Sequence, residues 1–146
     1  MIQRAEDMRE VVVERIDHLG IVAGIIKELR IIELINDKIP KDEREVISTG
    51  EAVAAMIMNG LGFSDRPLTL TPQFFQNKAL SRLFGKEVMA EHFNRFKLGR
   101  ALDDCHRYGC DCLFGELASF ICHQKKIDTR FNHLDTTTFS LTGEHE

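Results

Sequence analysis

An aspartate close to the carboxyl end of the chain is the residue whose setting first suggests chemistry. Asp135 lies at the start of a stretch, 133–144, in which successive side chains alternate between two faces, and the three threonines Thr136 to Thr138 follow it. Because β-branched residues suit a pleated surface, the stretch predicts a short strand. A carboxylate there could bind a divalent cation, but a catalytic site needs convergent partners, and its sequence neighbours supply none. From the residues alone, a turn or capping role for Asp135 is the commoner interpretation.

A group of cations on one predicted helix could contact phosphate. Arg100 and Arg107 are seven residues apart and share a face, although a solvated face is the commoner explanation for such charge. Residues 63–133 carry 11 Lys and Arg against 8 Asp and Glu, in a chain of net charge −4. This local surplus of +3 indicates where a DNA-binding surface would lie but is too small to demonstrate one. The candidate phosphate contacts are Arg95, Lys97, Arg100 and Arg107.

Two other residue types invite functional interpretations that we weigh against packing. The four cysteines and two adjacent histidines are Cys105, Cys110, Cys112, Cys122, His106 and His123. Their spacing lacks the paired Cys-x-x-Cys knuckles of structural zinc sites, so we expect reduced thiols and no bound metal. The phenylalanines could stack on bases, but their helical spacing and the absence of tryptophan favour the core.

Helices are expected to position these residues. In the first half, Asp17 is a plausible N-cap for a helix whose apolar face is Ile21, Ile25, Leu29 and Ile32. A short piece from Ile32 to Asp37 then ends before Pro40. Ser48 and Glu51 form a capping box for the next helix. Its expected inward residues are Val53, Met56, Ile57 and Leu61.

The second half predicts further helices of similar kind. Thr71-Pro72 begins one that breaks near Asn77 and stops at Gly85. Asn94 caps a helix from Arg95 to Tyr108, and Asp111 caps the next. The expected inward residues of these last two helices are Leu98, Ala101, Leu102 and Cys105, then Leu113, Phe114, Leu117, Phe120 and Ile121.

The predicted fold class is therefore mainly α. Six or so helices form a compact domain over residues 1–130, and one β-strand follows in residues 131–146. No apolar run approaches the ~20 residues that span a bilayer. The first residues are charged and lack an apolar signal core, so we expect a cytoplasmic protein with no membrane partner.

Four stretches, taken in order, carry a family likeness over nearly the whole chain. They are Asp17-His18-Leu19-Gly20-Ile21-Val22, Ser48-Thr49-Gly50-Glu51-Ala52-Val53 with Arg66-Pro67-Leu68, Phe96-Lys97-Leu98-Gly99-Arg100-Ala101-Leu102-Asp103, and His133-Leu134-Asp135-Thr136-Thr137-Thr138-Phe139-Ser140 with Gly143-Glu144. Through them the chain resembles the N-terminal part of DDE-class insertion-sequence transposases, in the branch that opens with a small helical domain. Arg95 departs from the family, which often has an aspartate at that position.

The resemblance implies a role for Asp135 as the first of three acids in a ribonuclease-H-like catalytic domain. In such a domain the three acids hold Mg²⁺ ions that activate water, and then a DNA 3′-hydroxyl, for attack on phosphodiesters. The second and third acids are absent from residues 1–146. We therefore expect a truncated transposase piece that is not an enzyme by itself and needs no cofactor, with Mg²⁺ belonging to the intact parent.

Two functional hypotheses follow from the resemblance. The first is a DNA-binding or assembly domain of a transposase, with transposon-end DNA and other copies as partners. The second is a free helical interaction module, or a non-functional remnant, that dimerises through surfaces which a catalytic domain once covered.

Overall fold

Helices account for most of the structure. A computed structural model describes residues 13–62 and 67–130. In these ranges the α-helices are α1 (Leu19–Glu28), α2 (Ile31–Lys38), α3 (Thr49–Gly60), α4 (Thr71–Phe75), α5 (Leu80–Phe84), α6 (Arg95–Tyr108) and α7 (Cys110–Lys125), with 3₁₀ turns at Leu68–Leu70 and Ala90–Phe93. The predicted helical class is confirmed. The predicted strand around Asp135, the boundary at residue 131 and part of the Arg66-Pro67-Leu68 motif lie outside the described residues.

The first two helices are separated by a break in the helical backbone that the sequence pattern did not predict. Arg30 adopts a left-handed conformation, with φ 55°, between α1 and α2. The predicted apolar face is wrong for Ile21, which is 70% exposed, and for Ile25, which is 49% exposed, because α1 instead buries Leu19 and Ile26. Asp17 does not cap α1; its φ is 48° and its carboxylate lies 2.5 Å from Lys78 Nζ.

The first turn of α3 is buried, polar and fully engaged. Ser48 Oγ accepts the backbone N–H of Glu51 at 3.1 Å, and the Ser48 N–H donates to the Glu51 carboxylate at 2.7 Å. The predicted capping box is therefore confirmed. The predicted inward face of α3 is wrong for Leu61, which is 54% exposed because the helix ends at Gly60, while Val53, Met56 and Ile57 are half-buried. The buried residues that follow the cap include the small Ala52, Ala54 and Ala55, so that neighbouring helices can approach α3 closely.

Phenylalanine rings fill the core beneath α4 and α5. Phe75 and Phe93 have ring centroids 5.2 Å apart, and Phe84 stacks on Phe93 at 4.8 Å. The predicted break near Asn77 and stop at Gly85 are confirmed, since α4 ends at Phe75 and Gly85 follows α5 with φ 69°.

The last two helices form a hairpin around Gly109. Asn94 caps α6 as predicted, accepting the N–H groups of Phe96 and Lys97. The cap predicted at Asp111 is wrong, because α7 begins at Cys110 directly after Gly109, whose φ is 104°. Two predicted inward residues, Leu102 and Phe114, are exposed, because each helix buries only the side facing the domain.

None of the helices in the described ranges has the length and apolar character required to cross a membrane.

Gly50 should tolerate no side chain. A Cβ on Gly50 would lie 2.4 Å from the Ile32 carbonyl oxygen and 2.8 Å from Asn36 Oδ1, and the backbone of α2 cannot retreat without repacking. We expect Gly50→Ala to lower the unfolding free energy by about 1–3 kcal/mol. The control is Gly60→Ala in the same helix, where a Cβ meets nothing within 4 Å; it should be neutral or slightly stabilising. Urea denaturation of both variants would test this, and equal stabilities would contradict it.

Glu51 should make the free energy of unfolding depend on pH in the acid range. Burial raises the pKa of this carboxyl, but hydrogen bonds from Lys86 and Ser48 outweigh burial and leave the pKa below its ordinary value. A lowered pKa contributes stability above the unfolded-state value, near 4.3, that is lost as the pH falls through the folded-state value. We expect Glu51→Gln to lose less stability than the wild type between about pH 6 and pH 3. Exposed Glu43→Gln should keep the wild-type slope, and an unchanged slope in Glu51→Gln would refute the assignment.

Candidate functional site

The cations predicted along α6 lie in different surroundings. Lys97 is part of the domain interior: its side chain is 5% exposed and its Nζ lies 2.8 Å from Glu45 Oε1. An ammonium group held there has no open surface on which to meet a phosphate. We therefore remove Lys97 from the candidate contacts and assign it to the packing of α6 against the segment before α3.

The two arginines predicted to share a face are exposed but partly neutralised. Arg100 Nε lies 4.0 Å from the same Glu45 Oε1 that pairs with Lys97. Arg107 lies in the last turn of α6 and pairs with Asp104 at 2.8 Å. Exposed ion pairs of this kind are weak, so each of the two arginines can leave its carboxylate partner and bind another anion.

The start of α6 presents a cation stacked on an aromatic ring. The Arg95 guanidinium carbon lies 4.7 Å from the ring centroid of Phe96, whose residue is 64% exposed. Within the described ranges Arg95 has no ion pair. Arg100 lies four residues beyond Phe96 and is its neighbour on the helix surface. We call Arg95, Phe96 and Arg100 the α6 surface.

Sequence reasoning missed Phe96 because it treated the phenylalanines as core residues. The buried stripe of α6 runs through Leu98, Ala101 and Cys105. Phe96 precedes Leu98 by two residues, which at ~100° per residue places it on the opposite side of the helix. The helical period alone, applied from Asn94, could have separated this ring from the core.

The α6 surface combines two chemistries that suit a nucleic acid. Guanidinium groups bind phosphate oxygens, and an exposed aromatic ring can stack on an unpaired base. Asn94 Oδ1 accepts the N–H groups of both Phe96 and Lys97 at 3.1 Å, which fixes the backbone beneath the surface.

A groove of about 530 Å³ lies among α1, α3 and α5. Its floor includes Ala54 and Met58, and Lys27 and Arg82 are among the residues at its sides. The one buried carboxylate in its lining, Glu51, already binds Lys86 Nζ at 2.6 Å and the Ser48 amide. The buried carboxylate of the groove is thus engaged by the fold, and the other charged side chains of its lining are Lys27, Glu33 and Arg82.

The side chains that could bind a metal ion do not form a cluster in the described part of the chain. Over residues 13–62 and 67–130, no three His, Cys, Asp or Glu side chains converge to hold an ion. Cys105 is buried, where desolvation raises the pKa of its thiol, while Cys110 and Cys112 are exposed and Cys122 is half-buried. Asp135, the acid that the family resemblance singles out, lies outside the described residues. The described side chains do not supply the Mg²⁺ site, and we assign no step to that ion.

Removing only the negative charge of the Lys97–Glu45 pair should cost more stability than removing both charges. Glu45→Gln leaves a buried ammonium group without its counter-charge, so we expect a loss on the order of 1–3 kcal/mol. Lys97→Met combined with Glu45→Gln removes both charges and should recover part of that loss. Exposed Glu43→Gln, two residues away, is the matched control and should be near neutral. Thermal or urea denaturation decides the order, and a double variant less stable than Glu45→Gln would contradict it.

Comparison with known proteins places the chain in a family. No curated protein and no solved structure matches it. The family described as "Domain of unknown function (DUF4277)" matches residues 11–119, a span that includes α1 to α6 and the first part of α7. That span is well over half of the chain, and the chain therefore belongs to the DUF4277 family.

Proposed function

We propose that this chain is the N-terminal helical domain of a DDE-class transposase-like protein, and that it acts in DNA binding or assembly. Two observations support it: four sequence stretches resemble that transposase family, and the structure has the exposed α6 surface. Arg95 and Phe96 are stacked and exposed, and Arg100 lies one turn away. The partner that fits this arrangement is a nucleic acid with at least one unpaired base.

The charge around the α6 surface supports weak, electrostatic binding. Glu45 lies within 4.0 Å of Arg100 Nε, and Asp104 pairs with Arg107 farther along the helix. Two phosphate contacts would give a salt dependence of log K on log salt of about −2, since each neutralised phosphate releases close to one counterion. Such binding positions a domain on DNA and contributes little sequence information.

The proposal assigns no strand cleavage to residues 1–146 on their own. Of the three acids implied by the resemblance, this stretch carries only Asp135. Mg²⁺ and its chemistry would belong to a protein that also supplies the other two acids. In a cell without a nucleus, a domain that acts on DNA would be located in the cytoplasm.

Removing the cations of the α6 surface should weaken DNA binding more than removing cations elsewhere. We expect Arg95→Ala with Arg100→Ala to weaken binding to a labelled duplex with a single-stranded end by roughly tenfold, and to reduce the salt slope by about 2. Fluorescence anisotropy at two salt concentrations measures both quantities.

The matched control is Lys27→Ala with Arg82→Ala, which makes the same change in net charge beside the groove. Equal weakening by both double variants would mean that net charge alone drives binding, and would remove the α6 surface from the proposal. Phe96→Ala should weaken binding to the single-stranded end more than to a blunt duplex, because only unpaired bases can stack on the ring. Absence of binding at low salt in the wild type would refute the DNA-binding role and leave assembly as the proposed function.

A further inference from the structure

The last described helix, α7, is long and only lightly covered. Its 16 residues extend over ~24 Å, yet Leu113 is the only one of them that is buried. Phe114, in its second turn, is 73% exposed. Helices in proteins are held mainly by tertiary packing, so a helix with a single buried residue leaves much of its surface available for another contact.

One side of α7 is fixed to the domain by identifiable contacts. Leu113 packs in a small core with Ile35 of α2 and Cys105 of α6. Glu116 accepts the Tyr108 hydroxyl at 3.0 Å and lies 2.8 Å from Lys38 Nζ. These hydrogen bonds hold the pKa of the Glu116 carboxyl below its usual range.

The other side of α7 carries small residues between charges of opposite sign. Steps of three or four residues along this side lead from Asp111 through Gly115, then through either Ala118 or Ser119, to Cys122 and Lys126. Asp111, Gly115, Ser119 and Lys126 are exposed, while Ala118 and Cys122 are half-buried. Asp111 lies in the first turn and Lys126 directly follows the last residue, so the negative and positive charges are at opposite ends.

We propose that this side of α7 binds the same side of α7 in a second copy of the chain, with the two helices antiparallel. In that orientation Asp111 of each copy faces Lys126 of the other, at both ends of the pair. A parallel arrangement would set aspartate against aspartate and lysine against lysine. Charge complementarity therefore fits a second copy of the chain in the antiparallel direction.

The residues at the centre of the pair allow the two helices to lie close together. In the antiparallel register Ala118 faces Ser119 of the second copy, and Gly115 faces Cys122. Phe114 lies beside this line and would cover the junction, facing His123 of the second copy. Because one helix pair buries less than the ~1,200 Å² of a typical stable complex, the association should be weak and concentration-dependent. The proposal does not depend on DNA binding.

Sedimentation equilibrium of the full chain over a wide concentration range tests the association. We expect a reversible monomer–dimer equilibrium, and Phe114→Glu should weaken it by at least tenfold by placing a carboxylate at the junction. Phe96→Glu is the matched control, because it makes the same change at an exposed phenylalanine of α6, and it should leave dimerisation unchanged. Circular dichroism confirms that both variants keep the helical fold.

Charge reversal tests the direction of the helices. Asp111→Lys and Lys126→Asp should each weaken the dimer, and the double variant should restore it, since opposite charges again face each other at both ends. In a parallel pair, neither single variant would weaken the dimer.

Three results would overturn the proposal. The first is a dimer that Phe114→Glu does not affect, which would place the interface elsewhere. The second is a dimer that neither charge reversal weakens. The third is a monomer at every concentration, which would mean that this side of α7 does not bind a second copy of the chain.

Discussion

The buried first turn of α3 is the constraint on which the rest of the domain depends. Ser48, Thr49, Gly50 and Glu51 are all buried, although three of them are polar. Each makes a contact outside the helix or closes the cap. The Gly50 N–H donates to Asn36 of α2 at 2.9 Å, Thr49 reaches Asp104 of α6, and Glu51 binds Lys86 beyond α5. Because buried polar groups are costly when unpaired, these partners define the positions of three neighbouring elements together.

The same region determines which cations of α6 remain available. Glu45, just before α3, lies close to both Lys97 and Arg100. The Lys97 side chain lies inside the domain, and the Arg100 side chain lies at its edge. One carboxylate thus separates a structural lysine from a surface arginine three residues later. The proposed α6 surface is therefore a product of how α6 is seated, and it should be as rigid as the turn that seats it.

Local signals in the sequence predicted part of the local structure, since the caps at Ser48 and Asn94 were right and those at Asp17 and Asp111 were wrong. The cap at Asn94 and the capping box at Ser48 depend on residues within one turn, so their chemistry is visible without the fold. The exposed Ile21 and Phe114 were misplaced because a helix with apolar residues on more than one side does not itself show which side a neighbour will cover. The burial of Lys97 likewise depends on Glu45, 52 residues earlier, and no pattern in the vicinity of Lys97 indicates it.

The contacts of the α3 turn also imply an order of assembly. Asn36 is 14 residues before Gly50, whereas Asp104 is 55 residues after Thr49. Closing the shorter loop costs less chain entropy, although the cost grows only slowly with length. The pair α2–α3 can therefore form early as a local hairpin, and α6 docks onto it later. In this order the surface that carries Arg95 and Phe96 is completed last. Folding φ-values, which report how far native interactions are formed in the transition state, should then be near one at Gly50 and near zero at Lys97.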